Sequence, residues 1–187
     1  MAPGRDPAED LAAYAGLVRA WAGRLDLVSL GDLDRFEARH VQDCLRLAPL
    51  LASLGPGPAI DVGSGAGLPG IPLAIWDRSR PWRLLEPRVR RAAFLDEVVR
   101  ALALPCEVVA RSAEEAARDP GLARAHVCAC ARALAAPDRA VALALPLIAP
   151  DGVVAIFTGS GSAAPPGSEE WAPGIVIIRG DGRDRDD

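Results

Sequence analysis

The sequence contains no lysine: all 21 basic residues are arginine, and 25 acidic residues give a formal net charge of −4. This balance argues against a broad positive surface for non-specific nucleic-acid binding. Local charge differs, because residues 77–91 hold six arginines against two acidic residues, a net of +4. Such a cluster suits bidentate phosphate contacts, or equally a solvated surface with ordinary ion pairs. Its arginines are Arg78, Arg80, Arg83, Arg88, Arg90 and Arg91.

Long apolar runs and aromatic residues are also scarce. No run approaches the roughly 20 residues of a membrane span, and the first ten residues have no apolar signal core. Aromatic residues make up 4% of a chain that is 50% hydrophobic, which indicates a folded protein with closely packed helices rich in alanine. We therefore expect one soluble, cytoplasmic protein of 187 residues, without a membrane partner and with no sign of an obligate dimer.

The four cysteines do not form paired CxxC motifs. His126, Cys128 and Cys130 alternate along a predicted strand, which superficially suggests zinc. The surrounding segment is small and apolar, as in a buried parallel strand, and a metal would need further ligands from elsewhere. We expect reduced core cysteines and no metal site.

Hydrophobic spacing predicts two helices followed by alternating strands and helices. Apolar residues recur at three- and four-residue spacing over positions 11–21, and a second helix is predicted over 33–54, before Gly-Pro-Gly-Pro. The predicted strands are 59–62, 82–86, 107–110, 126–130 and 152–157, and the predicted helices are 70–78, 88–103, 112–118 and 137–148. This alternation indicates an α/β protein with an open, mainly parallel sheet covered on both faces.

Three regions follow from this pattern. They are an N-terminal helical extension at 1–57, an α/β domain at 58–179 and a disordered acidic tail at 180–187. Within the domain we expect a mobile loop over 158–170 and an added edge strand within 171–179.

Residues 59–76 carry the most specific motif, a short apolar strand, a glycine-rich loop and an apolar helix. Asp61 ends the strand, and glycines follow at positions 63, 65, 67 and 70, with Pro69 and Pro72 around the last of them. Glycine suits a backbone that turns with positive φ or that a ligand approaches closely. The embedded GxGxxG alone would also permit a nicotinamide-dependent oxidoreductase. The acidic residue and the two prolines make the motif more specific and argue against that class of enzyme.

The whole string resembles the glycine loop of the RsmG/GidB family, S-adenosylmethionine-dependent methyltransferases that act on small-subunit ribosomal RNA. Further matches occur in the family's order over roughly residues 10–160. They are Arg39-His40-x-x-Asp43, Leu84-Leu85-Glu86 with Arg90 or Arg91 and Phe94-Leu95, residues 111–115, and Ala131-Arg132-Ala133. The resemblance implies a Rossmann-like class I methyltransferase fold with S-adenosyl-L-methionine as cofactor.

The resemblance also implies roles for individual residues. It places Gly63, Leu68, Glu86, Ala113, Glu114 and Arg132 at the cofactor, and Arg39, His40, Arg90 and Arg91 toward the substrate. Alternatives from the residues alone stay open. Glu86 suits ribose hydroxyls or the N-cap of the next helix, residues 112–115 also form a capping-box pattern, and His40 with Asp43 also reads as a helix-surface pair.

The implied reaction is methylation of N7 of a guanine in 16S ribosomal RNA, with that RNA or a precursor of the small ribosomal subunit as partner. Because N7 already carries a lone pair, no base has to remove a proton, which explains why the sequence shows no catalytic triad; the catalytic residues stay unassigned. Two departures from the family pattern, Ala131 for serine and Thr158 for lysine, motivate an alternative. The alternative is a catalytically impaired relative that binds ribosomal RNA or the ribosome without methyl transfer; a small-molecule methyltransferase is a further one.

Overall fold

A computed structural model describes residues 6–158 and 163–182, without the side chain of residue 30. Seven strands form one sheet in the order β3-β2-β1-β4-β5-β7-β6. The first five are parallel, and β7 runs antiparallel to both β5 and β6. The strands are β1 (Ala59–Val62), β2 (Trp82–Leu85), β3 (Cys106–Val109), β4 (His126–Arg132), β5 (Ile148–Phe157), β6 (Glu169–Ala172) and β7 (Ile175–Arg179).

The strand order creates a switch point between β1 and β4. The chain first builds outward through β2 and β3, then returns to add β4 and β5 on the other side of β1. Ala59 pairs with Trp82 on one side and with Cys128 on the other. The loops after β1 and β4 therefore diverge at the carboxyl edge of the sheet, which is where open α/β sheets bind ligands. The predicted fold class is confirmed.

Helices cover both faces of the sheet. The α-helices are α1 (Pro7–Ala22), α2 (Gln42–Leu45), α3 (Ala48–Ser53), α4 (Gly70–Trp76), α5 (Val89–Leu102), α6 (Ala113–Ala116) and α7 (Pro137–Ala144). Residues of α1, α4 and α5 pack with Leu84 of β2, whereas residues of α6 and α7 pack with the adjacent Leu85. Successive strand residues thus serve opposite layers, as the period of two requires.

The single helix predicted over 33–54 is wrong. The chain instead forms a 3-10 helix (Leu30–Arg35), a π-helix (Phe36–Val41) and then α2 and α3. Pro49 lies in the first turn of α3, where a residue without an N–H begins a helix but cannot continue one. The π-helix buries Phe36 and Val41 and carries Arg39 and His40.

The last strand is not the edge strand that its position suggests. β7 lies between β5 and β6, and β6 forms the edge. Gly174, with φ of 77°, reverses the chain after Pro173, so residues 169–179 form a hairpin. Residues 169 and 170, predicted as loop, are therefore paired. Residues 159–162 of that predicted loop and residues 183–187 of the predicted tail lie outside the described residues.

No helix in the described ranges is both long enough and apolar enough to span a membrane.

Candidate functional site

The loop after β1 is held by the carboxylate of Asp61. The backbone N–H of Gly70, at the start of α4, donates to Asp61 Oδ2 at 3.0 Å. A Cβ on residue 70 would lie 2.8 Å from that oxygen and 2.6 Å from Leu84 Cδ2, so only glycine allows this approach. Gly63 opens the loop with φ of 75°. The Asp61 carboxyl group thereby fixes the loop backbone between β1 and α4.

Asp61 is fully buried, and burial raises the pKa of its carboxyl group to about 7. The Gly70 N–H and the nearby Arg132 guanidinium oppose this rise, but they do not outweigh the loss of water. Its second oxygen, Oδ1, has no hydrogen-bond partner among the described residues. The group beneath the glycine loop therefore titrates close to neutral pH.

Helix α1 reaches the same loop through Tyr14. The Tyr14 hydroxyl, fully buried, donates to the carbonyl oxygen of Ala66 at 2.8 Å. Burial raises the pKa of Tyr14 well above its ordinary value, so the hydroxyl keeps its proton and remains a donor. The N-terminal helix thus supports the loop directly, a role that periodicity in the sequence does not reveal.

A cavity of about 290 Å³ opens beside the loop. Five segments far apart in the sequence form its wall: the loop itself, the stretch after α1, the π-helix, the start of α5 and the end of β4. The lining residues are Asp26, Leu27, Val28, His40, Gly63, Ser64, Gly65, Ala66, Leu68, Arg91, Arg132 and Ala133. Gly63, Leu68 and Arg132, predicted at the cofactor, thus meet His40 and Arg91, predicted toward the substrate.

Arg132 is the charged centre of this wall. One of its terminal nitrogens lies 2.8 Å from His40 Nδ1 and 3.5 Å from Asp43 Oδ2, so the two residues of the π-helix and α2 share a guanidinium. An arginine can only donate, so Nδ1 accepts and the His40 proton resides on Nε2. Burial, and then the charge of Arg132, lower the pKa of His40, which keeps the imidazole neutral.

The Nε2 atom of His40 is a buried donor without a hydrogen-bond partner in the described part of the chain. Asp32 Oδ2 lies 3.7 Å from it, beyond hydrogen-bond length. Asp32 instead accepts from Arg39 at 2.6 Å and from Ser29 at 2.7 Å. The Nε2 atom thus lies beside Asp32, which does not line the cavity, and Arg39 forms its ion pair with the same carboxylate.

Arg90 and Arg91 hold the segment that follows α1. Arg91 donates to the carbonyl oxygen of Asp26, and Arg90 donates to that of Arg24 at 3.3 Å. Arg91 lines the cavity, and Arg90 does not. Of these two residues predicted to face the substrate, Arg91 thus forms part of the cavity wall, and Arg90 holds the backbone beside it at Arg24.

Glu86 ends β2 and is 3% exposed. Its carboxylate accepts the N–H of Gly65 at 3.0 Å and that of Arg88 at 2.9 Å, so it ties the glycine loop to the start of α5. Each oxygen retains a further lone pair, but Glu86 does not line the cavity. In this structure the carboxylate braces the loop.

Ala113 and Glu114 lie outside the cavity lining. Ser112 and Glu115 form the capping box that begins α6, with the Ser112 N–H 2.8 Å from Glu115 and the Glu115 N–H 3.2 Å from Ser112. Ala113 is buried, and Glu114 pairs with Arg139 at 2.7 Å. Leu134 connects Ala113 with the glycine loop. Its Cδ1 lies 2.5 Å from the position that a Cβ on residue 63 would take, and its side chain packs in the same hydrophobic cluster as Ala113.

Most arginines of the 77–91 cluster bind protein groups. Arg78 pairs with the buried Asp10, Arg80 donates to the carbonyl oxygens of Leu51, Gly55 and Gly57, and Arg83 pairs with Glu107. These three guanidinium groups therefore bind groups of the protein itself. The net charge of +4 counted along the sequence does not form one exposed positive surface.

The His126-x-Cys128-x-Cys130 segment is internal. His126 is fully buried, with Nδ1 2.7 Å from the Leu147 carbonyl oxygen and Nε2 3.1 Å from Arg83. Cys128 and Cys130 are also buried, and burial raises their thiol pKa values. No group of three or more metal-ligating side chains occurs in the described ranges.

A family model described as GidB, rRNA small subunit methyltransferase G, matches residues 7–165. The ribosomal RNA small subunit methyltransferase G of Granulibacter bethesdensis is 41% identical over 155 residues, which cover 83% of this chain and 70% of that protein. The protein of the same name from Frankia alni is 38% identical over 183 residues, covering 93% and 66%. This chain thus spans about two thirds of the length of these two relatives.

Solved structures show the same fold at low identity. A structural-genomics protein from Corynebacterium glutamicum superposes with a TM-score of 0.61 at 11% identity, covering 95% of this chain and 91% of that one. MtNAS in complex with S-adenosylmethionine superposes with a TM-score of 0.59 at 15% identity, covering 92% and 72%. These similarities concern the architecture of the sheet and its helices.

Proposed function

The chain belongs to the GidB family, described as rRNA small subunit methyltransferase G, and from this premise we propose that it transfers a methyl group from S-adenosyl-L-methionine to N7 of a guanine in 16S ribosomal RNA. The observation that carries the proposal is the cavity beside the glycine loop. It lies at the switch point of the sheet, and the Arg132–His40 pair forms part of its wall.

The residues around that cavity fit the proposed cofactor. Gly63 and Gly65 turn the loop with positive φ and place no side chain in the cavity, Leu68 gives an apolar wall, and the Arg132–His40 pair gives a charged one. Arg132 suits the carboxylate of the methionine portion, because a guanidinium binds carboxylates through paired N–H groups. Glu86 supports this arrangement through Gly65, with lone pairs left for ribose hydroxyls. Ala113 and Glu114 are proposed for the adenine side.

Bound S-adenosylmethionine would supply an electrophilic methyl group on a positively charged sulfur. Guanine N7 has an available lone pair, so the protein needs no general base and contributes by placing the two reactants in line. The geometry agrees with this requirement. His40 is neutral and its Nδ1 is engaged with Arg132, so it positions groups rather than abstracting a proton.

The non-catalytic alternative is not favoured, since the relatives that share the family are named as methyltransferases. Arg39, Arg90 and Arg91 are proposed to lie toward the RNA, at the rim formed by the π-helix and the segment after α1. We place the protein in the cytoplasm as a monomer, with 16S ribosomal RNA or a precursor of the small ribosomal subunit as partner. In support, the exposed large apolar side chains in the described ranges, Trp76, Val89 and Leu145, lie in separate segments. Residues 58–179 would form the catalytic unit, and residues 1–57 its helical extension.

Calorimetric titration with S-adenosylmethionine tests the cofactor, with NADH as the control ligand. We expect saturable binding of S-adenosylmethionine and no heat from NADH. The variant Arg132→Ala should weaken the affinity for S-adenosylmethionine by at least about tenfold, since a hydrogen bond to a charged group is worth about 1.5–3 kcal/mol. Arg179→Ala, which removes an exposed ion pair on β7, is the matched control and should bind like the wild type. Binding of NADH alone would overturn the proposal.

A further inference from the structure

A second, larger cavity of about 650 Å³ adjoins the glycine-loop cavity. The two share Arg132 and Ala133 as wall residues. Four segments meet around the second cavity: α2 with the residue after it, the stretch after β4, the end of β5, and the turn between β6 and β7. Its lining includes Asp43, Arg46, Arg132, Ala136, Phe157 and Thr158.

Hydrogen bonds and an ion pair hold the walls of this cavity in place. Arg46, on the residue that follows α2, pairs with Asp43 at 2.8 Å and also donates to the carbonyl oxygen of Pro173 in the hairpin turn. The N–H of Thr158 donates to the carbonyl oxygen of Gly174 at 2.9 Å, which fixes the same turn over the end of β5. The hairpin that the sequence did not predict thus forms one side of the cavity.

The lining combines flat apolar surface with excess positive charge. Ala135, Ala136, Pro137 and Phe157 supply apolar surface, whereas two guanidinium groups face the single carboxylate of Asp43. A planar base in an extruded RNA nucleotide needs this combination, because its faces pack on apolar, aromatic or guanidinium surfaces and its phosphate is anionic.

We propose that this second cavity receives the acceptor nucleotide as an extruded guanine, with Arg132 as the partition between base and cofactor. This inference rests on the proposed function. Arg132 binds His40 and Asp43 through one terminal nitrogen, and within residues 6–158 and 163–182 the other makes only a 4.0 Å contact with the sulfur of Cys44. An arginine has five N–H donors, so with two directed at His40 and Asp43 and two at the proposed cofactor carboxylate, one remains for a base.

A donor at this position selects guanine over adenine. Guanine carries an acceptor oxygen, O6, next to N7, where adenine carries an amino group that donates. An Arg132 N–H bonded to O6 leaves the N7 lone pair unengaged, and the shared wall brings N7 to the cofactor side. Arg132 therefore determines specificity and positions the base without taking a proton from it.

A bulky side chain in the second cavity tests whether that cavity holds the base or the cofactor. Ala136 is exposed at the mouth of the cavity, at the residue that precedes α7, so Ala136→Trp places an indole in the space proposed for the base. We expect the affinity for S-adenosylmethionine to stay within about threefold of the wild type and methyl transfer to 16S ribosomal RNA to fall by about 100-fold, as expected for a displaced reactant. Ala135→Trp serves as a second variant should the first not fold.

Ala93→Trp is the matched control, because residue 93 is an exposed alanine on α5 and lines neither cavity. It should bind S-adenosylmethionine and methylate RNA like the wild type. Wild-type methyl transfer by Ala136→Trp would overturn the inference, and so would loss of S-adenosylmethionine binding in both cavity variants, which would assign the cavity to the cofactor. Failure of the wild-type protein itself to methylate RNA would instead refute the proposed function and, with it, this inference.

Discussion

At the scale of single residues, the carboxyl group of Asp61 organises the site. It is buried beneath the glycine loop, accepts the N–H of Gly70, and leaves its other oxygen without a hydrogen-bond partner in the described structure. Such a carboxyl group keeps its proton at a pH where a solvated aspartate is ionised. Its titration therefore couples the stability of the protein to pH.

The variant Asp61→Asn tests this coupling. The pKa of Asp61 is raised to about 7 from an ordinary 3.8, so above pH 4 the unfolded chain releases a proton that the folded protein retains. The contribution of Asp61 to the free energy of unfolding is therefore complete below about pH 4 and decreases by up to about 4 kcal/mol as pH rises to about 7. Urea denaturation of both proteins between pH 4 and 8 should show this decrease in the wild-type minus variant difference.

Asp119→Asn is the control for this experiment. Its carboxylate is partly exposed, and hydrogen bonds from Gly121 and Arg111 lower its pKa, so its contribution is lost as pH falls instead. Because Asp119→Asn retains Asp61, its free energy of unfolding should keep the decrease that Asp61 contributes between pH 4 and 7. Identical pH profiles for Asp61→Asn and the wild type would contradict the assignment.

Part of the site at this scale could be predicted from the sequence. Gly63, Leu68, His40 and Arg132 match a family motif, and they meet at one cavity. The pairing of Arg132 with His40, 92 positions apart, had no signal in the sequence, because only the packing of β4 against the helical segment brings them together. Their roles toward cofactor and RNA stay predictions.

At the scale of elements, the connection from β1 to α4 needs glycine at position 70 because there is no room for a side chain, and not because of the backbone conformation. Gly70 needs no positive φ, yet a side chain there would meet Leu84 and Asp61. Gly16 in α1 is the opposite case, since it is exposed and a Cβ would meet nothing within 4 Å. The same substitution should therefore have opposite effects at the two positions.

Gly70→Ala should lower the free energy of unfolding by about 1–3 kcal/mol, the usual cost of overpacking, whereas Gly16→Ala should raise it by about 0.5–1 kcal/mol because alanine is the better helix former. Chemical denaturation of the two variants beside the wild type measures both. Gly70→Ala should also weaken S-adenosylmethionine binding, and Gly16→Ala should not. Equal stability of the two variants would refute the packing argument.

The first four strands were predictable at this scale, whereas β5 begins at Ile148 instead of the predicted 152, and β6 and one helix were not predicted. β1 has the predicted bounds and β2 to β4 differ by at most two residues at either end, because buried parallel strands read as short apolar runs between clear breaks. The 33–54 segment looks like one amphipathic helix, but packing of Phe36 and Val41 and the proline at 49 divide it. The hairpin register depends on contacts with β5 that a short run of isoleucine and valine does not encode.

At the scale of the whole molecule, the strand order makes the two cavities neighbours. Reversal of the order between β1 and β4 places the glycine loop beside the end of β4, and β5 with the hairpin extends that edge to the second cavity. The parallel part of the sheet followed from the alternation in the sequence. The added hairpin, and with it the second cavity, could not be read from periodicity, since both arise from long-range contacts.

The most direct test of the central proposal follows the methyl group itself. The purified protein is incubated with small ribosomal subunits and S-adenosylmethionine that carries a labelled methyl group, and the RNA is digested to nucleosides for chromatography. We predict that the label appears as 7-methylguanosine, and that heat-denatured protein gives none. Label in another nucleoside, or no transfer by a protein that binds S-adenosylmethionine, would contradict the account.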